Sequence, residues 1–583
     1  MSYNITKNLN AYGGRNKYSV AIGSTNNSGG SANRIFNYCN RTSNVPFYCM
    51  FGSTPGPNNK DIFVDNFVIG AGIGGTYLSS RLINAFPNKS LLLVDKLNDY
   101  GGLQTSSKIQ GTNIYIDLGP IRFYPSIHPR ISNLVEKLNI PIIEYLPNSD
   151  GQVYYLRGKK FNNDSNIFTN SEEVYNIDNY EKNENPFDTL TNNIQDILNN
   201  EFGENIDLSL LENRINLFKN KKLSNSVFQT LSQQELSQEN WNRIQDMLGY
   251  NDLLSVKINF ITDALEFVSL SSKNAIQYRL ENGYSSLTKE IAIKNKLNKI
   301  FFNDLNKLDF NIHKYNTLFN SAVSNVTYSN ILKKWIIKIC NVNVNSPEDI
   351  SYSTNNYKTI YADTIYSTIP LLYLKNIHNF SNEYLNICEN SFVNFQIMRI
   401  YIRFEGDNDW LSQRNIGFGK SITTLNGAQL IHYANNILMF YAFNTQGSKL
   451  FGLLPDNIQI QKDMITPDNI IHGPLIDECR IIISKTYDIN DSDIPNINGI
   501  AYASWIHPIR CFSGRNLQNL KNESLYDTLM KIMFPYGMNG KFYILENNTS
   551  FNAAWCEGSL EIVDFFFNLI YKTDLFGNFI NYN

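Results

Sequence analysis

Residues 61–75 read DIFVDNFVIGAGIGG, an apolar run that ends in a cluster of glycines. The run Phe63 to Ile69 predicts a buried strand, and Thr76 to Ala85 predicts a helix. The turn between them, residues 70–75, satisfies the pattern G-x-G-x-x-G. A second predicted strand, Leu91 to Asp95, ends on an acidic residue twenty positions after the last glycine. This order of strand, glycine turn, helix and strand predicts a dinucleotide-binding βαβ unit.

Each element of the pattern has a physical role in holding a dinucleotide. Gly70 permits the tight turn, Gly72 lets the backbone approach a pyrophosphate, and Gly75 lets helix and strand pack closely. The helix amino terminus offers N–H groups and a partial positive charge to the phosphates. The carboxylate of Asp95 can accept hydrogen bonds from the adenosine ribose. The alternative interpretation is a glycine-rich turn that binds no ligand.

The bulk composition limits the class of protein. A chain of 583 residues predicts two or three domains. Its net charge of -3 argues against a dedicated nucleic-acid-binding protein. The seven cysteines include no CxxC pair, and the histidines are not spaced as metal ligands, so we expect no metal site. Because the cysteines are scattered along the chain, we expect a reducing compartment.

Targeting signals and base composition bear on the compartment. The chain contains neither an amino-terminal signal segment nor an apolar run of about 18 residues, so we expect a soluble cytoplasmic protein without a membrane partner. Heavy use of Asn, Ile, Tyr and Phe indicates an AT-rich genome, such as that of a parasite or a large virus. If the source is a large virus, the protein could be associated with the virion.

The residues after the second predicted strand favour FAD over NAD. The segment YGGLQT at residues 100–105 resembles the R-x-G-G-R-x-x-S/T element of the flavin amine oxidase superfamily. Asp99 and Leu103 stand where that family has arginines. The glycine pair lies at the family's distance from the acidic residue.

The resemblance continues through the rest of the chain. ENGYSSL at residues 281–287 is similar to the family's D-G-G-M-x-x-L, and ADTIYSTIP at 362–370 is similar to A-D-x-V-I-x-T-x-P. Val323 falls where a family valine contacts adenine through its backbone. YILE at 543–546 and AWCEGS at 554–559 resemble Y-F-A-G-E and G-W-x-E-G-A, with Ile-Leu in place of Ala-Gly and alanine in place of the first glycine.

This resemblance implies an FAD-binding domain assembled from three separated segments, with the flavin held non-covalently. Carried over residue by residue, the positions that it implies for cofactor binding are Gly70, Gly72, Gly74, Gly75, Asp95, Gly101, Gly102, Gly119, Pro120, Ile121, Arg122, Val323, Glu546, Trp555 and Cys556.

Within the superfamily, the chain looks most like the L-amino acid oxidases. LGPIR at residues 118–122 resembles their L-G-P-M-R, and GKSITT at 419–424 followed by IHYAN at 431–435 resembles G-K-S-T-T followed by I-Y-Y-P-N. The likeness implies that Arg122 and Tyr433 hold the substrate carboxylate. A guanidinium can grip a carboxylate through two parallel hydrogen bonds and a phenol can add a third, which would orient the substrate Cα–H toward flavin N5.

Each of these assignments has a structural alternative. Arg122 could belong to a surface salt bridge, and Tyr433 could be an ordinary core residue. Trp555 is either a wall of the substrate or flavin pocket or a packing residue. Arg399 stands where the family has a catalytic lysine near N5, and an arginine keeps that charge but cannot lose it near neutral pH.

The predicted fold class is α/β: a Rossmann-like FAD-binding domain of the GR2/amine-oxidase type, a mixed-sheet substrate domain and a helical subdomain. The expected segments are an irregular extension rich in Gly, Asn and Ser (1–60), the first segment of the FAD-binding domain (61–130), helical and substrate-domain segments (131–270), the second segment of the FAD-binding domain (271–370), the substrate-binding domain (371–500), and the third segment of the FAD-binding domain with the carboxy-terminal tail (501–583).

The predicted function is FAD-dependent oxidation of an L-amino acid or related amine. Hydride would pass to flavin N5, O2 would reoxidise the flavin to give H2O2, and the imine would hydrolyse. The partners expected are the small-molecule substrate and O2, without nucleic acid, and a homodimer is left open. A diverged flavoprotein fold used as a structural or packaging component, and a polyamine oxidase or desaturase, are the alternatives.

Overall fold

A computed structural model describes most of the chain after residue 60. The described residues are 61–145, 150–203, 207, 210–220, 237–249, 276–307, 309–310, 313–346, 349–425, 428–443, 449–454, 460–465, 473–512, 524–552 and 555–573. The predicted irregular extension, residues 1–60, lies outside them.

The described chain contains both strands and helices. The strands are β1 (Ile62–Ile69), β2 (Leu91–Val94), β3 (Ser106–Lys108), β4 (Tyr115–Asp117), β5 (Ile142–Glu144), β6 (Val153–Leu156), β7 (Lys159–Asn162), β8 (Tyr278–Leu280), β9 (Asn298–Phe301), β10 (Tyr315–Phe319), β11 (Ser321–Ser329), β12 (Lys334–Ser346), β13 (Asp349–Ser367), β14 (Phe392–Phe404), β15 (Gly419–Thr423), β16 (Ala428–Ala434), β17 (Ile437–Phe443), β18 (Ile460–Ile465), β19 (Ile497–Phe512) and β20 (Phe542–Ile544). The α-helices are α1 (Ile73–Ala85), α2 (Pro129–Lys137), α3 (Ile167–Ser171), α4 (Pro186–Phe202), α5 (Leu211–Lys219), α6 (Gln238–Leu248), α7 (Ser285–Lys294), α8 (Leu371–Leu374), α9 (Asn382–Ser391), α10 (Trp410–Gln413), α11 (Lys449–Leu453), α12 (Gly473–Tyr487), α13 (Leu525–Met533) and α14 (Cys556–Tyr571).

The first sheet is Rossmann-like. In the described chain its strand order is β11-β12-β13-β1-β2-β10-β9, with β20 pairing the end of β13. The pairs from β9 through β10, β2, β1 and β13 to β20 are parallel, whereas β11, β12 and β13 are antiparallel neighbours. All four residues of β2 and the last four of β1 are buried, as expected of parallel strands covered on both faces. The predicted fold class is confirmed.

The sheet draws its strands from three stretches of chain, residues 62–94, 298–367 and 542–544. The family resemblance implies an FAD-binding domain of three separated segments, and the boundaries of those segments stay predictions. Helices α1, α7 and α14 contribute side chains to its buried core. Helix α1 begins at Ile73, three residues earlier than the sequence pattern predicts, because the first helical turn lies inside the glycine cluster.

A second, mixed sheet has the order β18-β19-β14-β17-β16-β15-β6-β7 in the described chain. Its strands pair antiparallel except β15 with β6. One face packs against α12, and the other packs against the β3–β4 hairpin in a separate buried cluster. Because β19 runs to Phe512, we propose to move the expected boundary at residue 500 to the end of this strand.

Helices α4, α5 and α6 lie in the segment 131–270 that the sequence predicts to be largely helical. The same segment also contains β5, β6 and β7. These strands are three or four residues long, so they show too few alternating positions to stand out in the sequence. Among the described residues, no helix combines the length and apolarity needed to cross a bilayer.

Candidate dinucleotide and substrate site

The glycine turn requires glycine at two positions and is open at a third. Gly70 has a φ of +102°, in the left-handed region that favours glycine. A Cβ on Gly75 would overlap the carbonyl oxygen of Gly70. A Cβ on Gly72 would find its nearest neighbour, the carbonyl oxygen of Gly101, at 3.7 Å. Gly70 and Gly75 are therefore required by the fold, while Gly72 leaves room in front of the backbone.

This room lies at the start of helix α1. The amide of Thr76 donates to the carbonyl of Gly72 at 3.0 Å, which is the first hydrogen bond inside the helix. The amides of residues 73–75 precede that bond, so no helical carbonyl can accept from them. Such a terminus favours an anionic group.

Asp95 connects the end of β2 to the glycine turn. Its Oδ2 accepts from the Ala71 amide at 2.6 Å, and its Oδ1 accepts from the Leu97 amide at 2.8 Å. Burial raises the pKa of this carboxyl, and the two amide hydrogen bonds oppose that rise. Each oxygen retains a second lone pair, so the carboxylate can still accept from a ribose hydroxyl.

A second glycine pair packs against the first turn. The Gly101 amide donates to the carbonyl of Ala71 at 3.1 Å, and Gly102 has a φ of +58°. A Cβ on Gly119 would overlap the carbonyl oxygen of Leu103. The three predicted glycine segments thus meet at one end of the first sheet.

The two residues that replace family arginines have different surroundings. Asp99 forms ion pairs with Lys289 at 2.8 Å and Lys299 at 3.6 Å. The side chain of Leu103 is 42% exposed, which is high for a large apolar residue. Neither position supplies a positive charge near the glycine turn.

The start of α14 lies beside this turn. A Cβ on Gly74 would be 3.6 Å from the Cβ of Ser559, so α1 and α14 approach closely there. The Cys556 sulfur accepts from the Gln104 side-chain amide at 3.0 Å, and burial raises the pKa of the thiol to about 12. Trp555 lies against the ring of His128, with centroids 4.6 Å apart.

Other residues predicted to bind the cofactor are buried or hydrogen-bonded within the protein. The Oε2 atom of buried Glu546 accepts from the Leu371 amide at 2.8 Å. Val323 is buried on β11 next to an irregularity in its pairing with β12. Ile121 is buried in the cluster between the β3–β4 hairpin and the second sheet, and Pro120 precedes it.

Arg122 and Tyr433 lie near that same cluster. The guanidinium carbon of Arg122 is 5.7 Å from the ring centroid of Tyr145. The Tyr433 hydroxyl donates to the backbone carbonyl of Tyr115 at 2.8 Å. Since a phenol has a single proton, Tyr433 cannot donate to a substrate carboxylate while this bond is intact. This geometry therefore does not support the predicted role of Tyr433 as a hydrogen-bond donor to the substrate carboxylate.

Arg399 is buried on β14. One terminal nitrogen donates to the backbone carbonyl of Asp117 at 3.2 Å, and its guanidinium carbon is 4.8 Å from the ring centroid of Tyr441. Its Nε has no hydrogen-bond partner among the described residues. The Tyr401 hydroxyl donates to the same carbonyl at 2.6 Å.

Asp117 is a buried acid that the family resemblance did not point to. Its Oδ1 accepts from the Ser106 hydroxyl at 2.5 Å and from the Tyr284 amide at 2.8 Å. Its Oδ2 and the Tyr284 hydroxyl have no hydrogen-bond partner within the described stretches of the chain. Burial raises the pKa of Asp117 to about 6, against the opposing effects of these hydrogen bonds and of the charges of two arginines.

A sequence signal for Asp117 did exist. It is the last residue of a strand, directly before the Leu-Gly-Pro-Ile-Arg segment. The resemblance of that segment to the family rests on the residues after the acid, so the acid itself did not stand out. Among the described residues, no group of His, Cys, Asp and Glu is arranged to hold a metal ion.

Comparison with known proteins shows a domain-family match and one viral relative. Residues 68–138 match the model of a NAD(P)-binding Rossmann-like domain. An uncharacterised protein of Acanthamoeba polyphaga mimivirus is 21% identical over 535 residues, which covers 89% of this chain and 95% of that protein.

Solved structures of amine oxidases align with most of the chain. Cyclohexylamine oxidase from Brevibacterium oxydans aligns with a TM-score of 0.57 and 13% identity, covering 87% of this chain and 99% of that one. A mutant of putrescine oxidase, from a redesign of its cofactor binding, aligns with a TM-score of 0.58 and 12% identity, covering 88% and 100%. The fold of this chain is therefore that of these amine oxidases.

Proposed function

We propose that this protein binds FAD and oxidises an L-amino acid or a related amine that carries a carboxylate. The observation that carries the proposal is the open space at Gly72, at the amino terminus of α1, beside the carboxylate of Asp95. A pyrophosphate and a ribose require these two features at this spacing.

The cofactor is proposed to lie along the glycine segments. The amides of residues 73–75 would hold the pyrophosphate, and Asp95 would accept from the ribose hydroxyls. The bound flavin would supply the two-electron acceptor for oxidation of the amine. Cys556, at the start of α14, has a pKa raised to about 12 by burial, so a thiolate that could attack the ring is disfavoured and binding is proposed to be non-covalent.

The substrate is proposed to lie between the β3–β4 hairpin and the second sheet. Arg122 would hold its carboxylate through charge-assisted hydrogen bonds, which fix orientation as well as affinity. The guanidinium of Arg399, which donates to the Asp117 carbonyl, would border the same space. The amine oxidases with the same fold support amine oxidation, while the carboxylate of the proposed substrate is inferred from Arg122 alone; O2 is the proposed electron acceptor.

The test is spectroscopic. The purified protein should show flavin absorption, and an amino acid added under nitrogen should bleach it, with H2O2 appearing once air is admitted. A preparation without flavin, to which FAD cannot be bound, would contradict the cofactor proposal.

A second candidate is a flavin-binding fold that serves as a structural or packaging component. Two residues favour it. In the flavin amine oxidase superfamily that the sequence resembles, an arginine stands at the position of the exposed Leu103 and a lysine at that of Arg399. A yellow protein that no amine or amino acid bleaches would support it.

Arg122→Ala separates an amino acid oxidase from a polyamine oxidase or a desaturase. Loss of a charge-assisted pair costs about 1.5–3 kcal/mol, so kcat/KM for amino acids should fall roughly ten- to a hundredfold. Activity on amines without a carboxylate should change little, which provides the control. Unchanged amino acid kinetics would contradict the carboxylate clamp.

A further inference from the structure

Tyr284 is a fully buried tyrosine whose hydroxyl has no hydrogen-bond partner in the part of the chain that the structure describes. Burial raises the pKa of this hydroxyl, as do the nearby Cys556 thiol and Asp117 carboxyl, against the opposing charges of two arginines. The hydroxyl therefore keeps its proton and is a donor. A buried donor without an acceptor costs free energy, so a group that accepts from it would stabilise the protein.

Backbone contacts fix the position of Tyr284. Its amide donates to Oδ1 of Asp117 at 2.8 Å, and its φ of -64° and ψ of -27° are helical, so it extends α7 by one residue at its start. The preceding Gly283 has a φ of +74°, and a Cβ there would lie 2.5 Å from the Cβ of Ser106. The tyrosine ring is thus held by its backbone as well as by the core around it.

The face of α7 that carries Tyr284 meets the start of α14. Residues four apart share a helix face, so Tyr284 and Thr288 point the same way. The Thr288 hydroxyl donates to Oε1 of Gln104, and Nε2 of Gln104 donates to the sulfur of Cys556, the first residue of α14, at 3.0 Å. The unpaired hydroxyl therefore lies near the amino terminus of α14, which favours an acceptor oxygen.

The proposed cofactor passes this point. Its pyrophosphate is proposed to lie at the start of α1, where a Cβ on Gly74 would be 3.6 Å from the Cβ of Ser559 on α14. A flavin ring that reacts with the proposed substrate must extend from there toward Arg122 and Arg399. The charges of both arginines act on the Tyr284 hydroxyl. The hydroxyl therefore lies where we expect the flavin ring.

We propose that the Tyr284 hydroxyl donates a hydrogen bond to a pyrimidine carbonyl oxygen of the flavin ring. This inference rests on the proposed function for the cofactor, and it goes further by assigning one polar contact of the ring to a residue that the sequence pattern does not indicate. The similar family segment, D-G-G-M-x-x-L, has a methionine at this position, and a methionine has no donor.

Such a bond would favour the reduced flavin over the oxidised flavin. Two-electron reduction increases the negative charge on the pyrimidine half of the ring, and a hydrogen bond to a charged acceptor is stronger than one to a neutral acceptor. The hydroxyl would therefore strengthen flavin binding and raise the reduction potential of the bound flavin.

Tyr284→Phe keeps the ring and removes only the hydroxyl. Without flavin, the full-length variant should melt at the temperature of wild type or higher, because a buried donor without a partner is removed. Its Kd for FAD should nevertheless be about five- to tenfold higher, because one hydrogen bond to the cofactor is lost. An unchanged Kd for FAD would overturn the proposal, whatever the melting temperature.

The reduction potential of the bound flavin provides a second readout. It should be lower in Tyr284→Phe, by about 30 mV for each factor of ten by which the hydroxyl prefers the reduced ring. A potential equal to that of wild type would contradict the predicted preference for the reduced ring. If Tyr284→Phe does not fold, Tyr284→Met removes the same donor and should raise the Kd for FAD in the same way.

Tyr366→Phe is the matched control. Tyr366 is also fully buried, but its hydroxyl lies 3.0 Å from that of Tyr571, the last residue of α14, at the opposite end of the helix from Cys556. This variant should melt at a lower temperature than wild type, with the Kd for FAD and the reduction potential unchanged. An equal rise in Kd in Tyr366→Phe would mean that loss of any buried hydroxyl weakens flavin binding, and would overturn the proposal.

The two proposals fail separately. A wild-type protein that cannot bind FAD would reject the proposed function, and this inference with it. Equal FAD binding by wild type and Tyr284→Phe would reject only the contact from Tyr284.

Discussion

Gly72 and Gly75 lie in one turn, yet an added methyl group should affect them differently. Gly75→Ala places a Cβ against the carbonyl of Gly70, and relief requires moving helix α1 away from β1. We expect a loss of about 3 kcal/mol or more in the free energy of unfolding, or no folded protein. Gly72→Ala has 3.7 Å of clearance, so its stability without flavin should stay within about 1 kcal/mol of wild type.

The same pair tests the cofactor site. Gly72→Ala should fold but lose flavin during purification, because the methyl group occupies the space proposed for the pyrophosphate. Absorption spectra and urea unfolding of the two variants provide the measurement. Full flavin content in Gly72→Ala would argue that the dinucleotide lies elsewhere.

Asp117→Asn should remove a pH-dependent loss of stability. Burial raises the pKa of Asp117 to about 6, while an unfolded aspartate titrates near ~3.9. Between these values the folded state holds more protons than the unfolded state, so the free energy of unfolding falls as pH rises from about 4 to about 6. The stability that the protonated Asp117 carboxyl contributes is fully present below about pH 4 and amounts to roughly 3 kcal/mol.

The measurement compares wild type with Asp117→Asn by urea unfolding from pH 4 to pH 8. The asparagine oxygen can still accept from the Tyr284 amide, so the two proteins differ mainly in charge. Relative to the variant, wild type should become less stable as pH rises through this window. A difference that is constant with pH would show that Asp117 does not titrate near 6.

The residues of the site differ in how well sequence could predict them. The glycines and Asp95 follow a local pattern within 35 residues, and the structure places them together. Asp117 and Tyr284 are 167 positions apart, and their hydrogen bond depends on strand β8 returning beside Phe123. Pattern reasoning also could not show that the Tyr433 hydroxyl is already bonded to a backbone carbonyl.

At the scale of elements, helix α14 joins three other helices through buried charges. Glu557, Glu561 and Asp564 lie at spacings that share one face of the helix. Asp564 pairs with Arg81 on α1 and with Arg130 on α2 at 2.7 Å, and Glu561 pairs with Arg214 on α5. All six side chains are at least 95% buried, so each charge depends on its partners.

Asp564→Ala should be strongly destabilising. It removes the carboxylate that pairs with Arg81 and leaves a buried guanidinium without that partner. Breaking such a pair costs about 3–5 kcal/mol. Urea unfolding measures the loss, and Asp363→Ala is the control.

Asp363 pairs with Lys334 at 2.6 Å, but both side chains are about one-third exposed. A pair of this kind contributes about 0–1 kcal/mol. Similar losses in the two variants would contradict the burial argument. The sequence does not predict this cluster, because the partners of the α14 carboxylates lie more than 300 residues away.

At the scale of the whole molecule, the first sheet cannot form from its amino-terminal stretch alone. Strand β1 lies between β2 and β13, and β2 lies between β1 and β10. A fragment of residues 61–138 contains both strands but neither β10 nor β13. We expect this fragment to unfold without a cooperative transition, because one edge of each strand and one face of α1 lose their cover.

Circular dichroism during heating, with the full-length chain as the control, checks this expectation. A cooperative transition in the fragment would mean that the βαβ unit is stable by itself. The sequence alone identifies the unit but not its dependence on distant strands, since pairing partners carry no local signal.

The pairing of β1 with β13 has a consequence for synthesis on the ribosome. Ile69 lies opposite Ser367, which is 298 positions later in the chain. At translation rates of about 5–20 residues per second, the nascent chain leaves one backbone edge of β1 unpaired for roughly 15–60 s. Chaperones that shield unpaired strands therefore have a defined interval in which to act, and it closes only when the ribosome has passed the end of β13.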